Sequence, residues 1–71
     1  MDFFMWYDDT PHMTAKDKIS AAIAAYVVRF TIRPTLVLVN TVDFVTIADI
    51  QIDCDRHVPP NTFWVRIERT T

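Results

Sequence analysis

The sequence predicts an α+β domain, one amphipathic helix packed on a small antiparallel or mixed sheet of three or four strands with a C-terminal β-hairpin. Three observations lead to it. Apolar residues recur at helical spacing from Ile19 to Phe30, the run TLVLVN is continuously apolar and branched, and the segments after Ile50 and after Thr62 alternate with period two. The chain divides into an aromatic and acidic N-terminal segment, residues 1–13, and a single α+β domain, residues 14–71.

The helix comes first. Thr14 is placed to cap it, with Asp17 three residues on where a capping-box acid reaches back, so the first turn begins at Ala15. Ile19, Ala22, Ile23, Tyr26 and Phe30 form the stripe that lies on the sheet. Pro34 drives Arg33 towards an extended conformation, which ends the helix near Phe30 or Thr31. The opposite face carries Ala21, Ala24, Ala25 and Val28, and Lys16, Asp17, Lys18, Ser20 and Arg29 are left to keep it soluble. A helix with two apolar faces calls for two neighbours. The second is either the aromatic N-terminal segment, including Trp6 and Tyr7, or the same helix in another copy of the chain.

Thr35–Asn40 reads as an interior strand covered on both faces. Thr41–Asp49 fits a helical turn or an edge strand, and strand or irregular chain is the preferred reading. Ile50, Ile52, Cys54 and Val58 then share one strand face, with Gln51, Asp53, Asp55 and His57 on the other, and Cys54 is expected in the core. Phe63, Val65 and Ile67 alternate with Trp64, Arg66 and Glu68 in the same way. Pro59, Pro60 and Asn61 between the two segments suggest a hairpin loop. Matching the apolar faces sets Val58 opposite Phe63, Cys54 opposite Ile67, Asp55 opposite Arg66 and His57 opposite Trp64.

Composition removes several function classes. The chain has 71 residues and no glycine, where average usage of roughly 7% would give about five, so the glycine-rich phosphate cradles have no place here. Corners that need positive φ fall to Asn40 and Asn61. One cysteine permits no intrachain disulfide and no multi-cysteine zinc site, which leads to the expectation of a cytoplasmic protein. Seven basic against nine acidic residues, with no basic run, argue against direct nucleic-acid or membrane contact. The segment MDFFMWYDD has neither the charge nor the cleavage pattern of a secretion signal, and no stretch approaches the roughly 20 apolar residues that span a bilayer. No cofactor is expected.

Asp53, Asp55 and His57 form a D-x-D-x-H array of credible metal ligands. Side chains two residues apart on one strand stand nearly 7 Å apart, however, so three of them meet on one ion only if the strand bends or another segment contributes. The solvated strand face is therefore the preferred reading. Cys54 and His57, three apart on a strand, point to opposite faces and do not form a nucleophile and base.

The order of AAIAAYVVRFTIRPTLVLVN and VPPNTFWV is similar to that of a group of small uncharacterised bacterial proteins. Those combine an Ala-rich helix, an Arg-Pro break, a hydrophobic strand ending in Asn and a Pro-x-x-x-Phe-Trp segment, matching about Thr14 to Val65 here. The resemblance implies no activity, cofactor or catalytic residue. With 51% hydrophobic residues in a short chain, apolar surface is expected to remain after folding. The function expected is a protein-interaction or self-assembly module, a homodimer or larger, with Ala21, Ala24, Ala25, Val28, Trp6 and Tyr7 at the contact. The alternatives are a metal-binding protein or small metal-dependent enzyme using Asp53, Asp55 and His57, and an accessory protein that reaches nucleic acid through a partner. The absence of a catalytic constellation favours the non-enzymatic reading.

Overall fold

The helix starts and stops where local chemistry directs. In the computed structural model, which describes residues 3–68, α1 spans Ala15–Phe30. The Thr14 hydroxyl accepts the Asp17 N–H at 3.1 Å. At the other end Thr31 adopts the left-handed region, φ 55°, and its N–H donates to the Val27 carbonyl at 2.8 Å. Glycine normally fills that position, because a Cβ crowds the carbonyl there. A chain without glycine places a β-branched residue in it.

Four strands follow the period-two logic: β1 Phe4–Tyr7, β2 Leu36–Val39, β3 Gln51–Cys54 and β4 Thr62–Arg66. They form one mixed sheet in the order β1-β4-β2-β3. β4 is antiparallel to both neighbours and β2 is parallel to β3, so β1 and β2 run the same way on either side of β4. The aromatic N-terminal segment thus belongs to the sheet as an edge strand. α1 covers one face, where Ile19, Ala22, Ile23 and Tyr26 meet Val37, Val39, Phe63 and Val65. Phe4, Trp6 and Ile52 complete that layer. Phe30, the last residue of the stripe, lies at its margin and packs edge-on against Phe4 at 5.9 Å.

The C-terminal hairpin does not form. β3 and β4 lie on opposite sides of β2. Phe63 stands opposite Trp6 and Val39, Trp64 opposite Met5 and Leu38, and Arg66 opposite Leu36. The Val58–Phe63, Cys54–Ile67, Asp55–Arg66 and His57–Trp64 pairs are accordingly replaced. The reason lies in the connecting loop, which is tied to the end of β2. Asp55 N–H donates to the Val39 carbonyl at 2.9 Å, and the Asn40 side-chain amide donates to the Val58 carbonyl at 2.9 Å. These bonds carry the chain over β2, so it returns one strand further along. The inside and outside assignments of β4 survive the change of partner, because alternation specifies faces and leaves neighbours open.

Three smaller expectations are also corrected. Asn40 has an ordinary φ of −71° and serves as a cap, its side-chain oxygen accepting the Val42 N–H at 3.0 Å above a 3₁₀ turn over Thr41–Asp43. The positive-φ corners are His12, Thr31, Asp49 and Asn61. Cys54 is exposed: β3 is an edge strand, and the helix does not reach over its last residue. Lys18 is buried at 8% exposure, against its expected place on the soluble face.

Candidate functional site

The D-x-D-x-H array resolves into separate local pairs. Asp53, half-buried on β3, accepts the Gln51 side-chain amide at 2.7 Å. Asp55 lies past the strand end, where one of its oxygens accepts the His57 N–H at 2.8 Å and lies 3.1 Å from His57 Nδ1. The backbone N–H of His57 is the main cause that lowers the Asp55 carboxyl below its ordinary value. The strand stops at Cys54 and the chain turns at Arg56 and His57, leaving the imidazole in solvent. Among the described residues no group of three or more His, Cys, Asp or Glu is placed to hold a metal ion.

The buried polar centre lies elsewhere, at Asn61. With φ 64° this residue aims three polar atoms at three other segments. Its N–H donates to the Asp43 carboxylate at 2.8 Å, its carbonyl accepts the Asp8 N–H at 2.9 Å, and its side-chain oxygen accepts the Lys18 ammonium at 3.1 Å. Both Lys18 and Asp43 are only 8% exposed. The cluster joins the start of α1, the end of β1 and the 3₁₀ turn to the start of β4. It is a structural clamp, since each group is held by another part of the chain. The sequence signal was partial: Asn after two prolines marks a positive-φ corner, but nothing local says that Lys18 turns inward to meet it.

Exposed apolar side chains occur on two faces, and also at Ile32, Val42 and Phe44 in the connections on either side of β2. On the outer face of α1, Val28 is 82% exposed beside exposed Ala24, with Ala21 and Ala25 half-buried. An open groove of about 430 Å³ lies on the flank of α1, lined by Ser20, Ile23, Ala24, Val27, Arg33 and Ile47. On the sheet face away from the helix, Met5 and Tyr7 are 67% and 64% exposed. Phe3 covers part of this second face, its ring 5.2 Å from that of Trp64 and 5.0 Å from the Arg66 guanidinium carbon.

Of the six residues expected at a contact, Val28, Ala24 and Tyr7 are therefore presented to solvent. Trp6 points to the helix side, stacked 6.2 Å from Phe4, and its indole N–H is buried without an acceptor. Tyr7 donates its hydroxyl to Asp9 at 3.2 Å, and that carboxylate raises the phenol above its ordinary value. No helix among the described residues is long and apolar enough to cross a membrane. No family model, curated protein or solved structure matches the chain, so the likeness to small bacterial proteins rests on its quoted motifs alone.

Proposed function

We propose that this chain is a small protein-interaction or self-assembly module that associates at least as a homodimer. The observation that carries the reading is Val28, a branched apolar side chain 82% exposed at the C-terminal end of a stripe formed with Ala21, Ala24 and Ala25. A face of small residues allows a close approach by another helix, and Val27 with the adjoining groove extends the apolar area to one side. The free, exposed Cys54 suits a reducing compartment such as the cytoplasm, and the resemblance suggests a bacterial source. Asp53, Asp55 and His57 are satisfied by near neighbours, and no observation favours a metal-dependent reading over the interaction one.

Sedimentation equilibrium tests this directly. A dimer is expected, and Val28→Lys should weaken it by at least about tenfold, because an ammonium buried without a partner costs more than the ~1.4 kcal/mol that a factor of ten represents. A protein that remains monomeric at every concentration reached would remove the reading.

A further inference from the structure

We infer that the groove on the flank of α1 holds a single-chain amphipathic carboxylate, its alkyl tail along the helix and its carboxylate on Arg33. The site goes beyond the self-assembly reading and does not depend on it, since Val28 is not among the lining residues. Volume, lining and shape together select the ligand. The volume of about 430 Å³ falls within the roughly 300–1,000 Å³ of small-molecule sites. Four of the six lining side chains are apolar: Ile23, buried at 7% exposure, with Ala24, Val27 and Ile47. Ser20, Ile23, Ala24 and Val27 follow one another at three- and four-residue steps, so they form one strip about 10 Å long on the helix. Ile47, held in a bridge to Ile50, meets that strip from the connection between β2 and β3. A strip of this length with a wall beside it fits an extended alkyl tail.

The polar groups lie at the two ends. Ser20 marks the N-terminal end, with Asp17 about one turn before it, and Arg33 lies past the C-terminal end of α1. Arg33 is the one charged side chain in the lining. It is exposed, and among the described residues no carboxylate comes within ion-pair distance of it, Asp49 two residues after Ile47 included. Its guanidinium can therefore offer two parallel N–H donors to an external carboxylate. Asp17 disfavours the reverse orientation. A single cation suits a monoanion, whereas a phosphate dianion calls for a second cation and a neutral alcohol leaves the guanidinium unmatched. The tail then covers Ala24, Val27 and Ile47, apolar surface that the fold leaves in water.

NMR titration of the intact chain with sodium hexanoate, octanoate and decanoate, each below its micelle concentration, tests the site. Saturable shifts are expected at the Ala24, Val27, Arg33 and Ile47 amides, with affinity rising about two- to fourfold per added methylene while the tail still gains apolar contact. 1-Octanol should bind about three- to tenfold more weakly than octanoate, and Arg33→Gln should remove that difference while leaving octanol binding unchanged. Octanoate that binds no better than octanol, or as tightly to Arg33→Gln as to the native chain, overturns the inference. So does the absence of saturable shifts at these amides. Groove amides that respond to protein concentration and not to octanoate place a second copy there and overturn it likewise. Sedimentation of the same samples reads self-assembly separately, so either reading can fail without the other.

Discussion

Thr31 is strained because the helix needs a left-handed residue at its end and the chain contains no glycine to supply one. A left-handed conformation costs an L-residue about 1–2 kcal/mol, and glycine gives part of that back as greater freedom in the unfolded chain. Thr31→Gly should raise stability by about 1 kcal/mol in urea unfolding, with the helix otherwise unchanged. Asp55 offers a second residue-scale test. Its folded carboxyl titrates below the ordinary 3.8, so the stability it contributes is present above that value and is lost as pH falls through the lower, folded one. The backbone N–H of His57 is the largest cause and the ring a smaller one. Carboxyl-carbon NMR should therefore find that His57→Ala keeps most of the lowering. A return to the ordinary value would mean that the imidazole is responsible.

Elements in this fold are held to one another by their ends. Asn61 connects four of them, and its two contributions can be separated by substitution. Asn61→Gly keeps the positive φ but strands the buried Lys18 ammonium, at a cost of about 1–3 kcal/mol. Asn61→Ala adds a Cβ to the same loss and should be worse by about another 1–2 kcal/mol. Equal destabilisation by the two would show that the backbone conformation is not part of the clamp. The topology follows from similar end contacts. Asn40 and Val39 capture the loop after β3, and β4 is thereby delivered between β1 and β2.

For the molecule as a whole, β1 decides whether the core is closed. Phe4 and Trp6 lie against the buried cluster that includes Tyr26, Phe63 and Val65, and β1 covers one side of β4. The chain shortened to residues 14–71 would lose that cover and leave β4 as a bare edge. It is expected to lose its cooperative thermal transition, as judged by circular dichroism, whereas an independent 14–71 domain would keep it. The same strand forms one edge of the sheet, so one short segment both completes the core and ends the sheet on that side.

Local rules reached far into this protein. The cap at Thr14, the stop before Pro34, the inward stripe from Ile19 to Tyr26, the interior β2 and the inside-outside alternation of β4 all follow from residue spacing, because steric and solvation preferences over a few residues suffice to set them. Asp53 alone of the D-x-D-x-H array lies on a strand, since β3 ends at Cys54 and the chain turns at Arg56 and His57, a stop that the alternation did not mark. Strand order was not legible either, since period two names a face and never a partner. The fate of Lys18, the exposure of Cys54 and the inclusion of Phe4–Tyr7 in the sheet each depended on which segments meet in space. Those meetings are settled by contacts between residues far apart in the chain, Asn61 with Lys18 and Asp43 above all, whose energies exist only once the elements have come together.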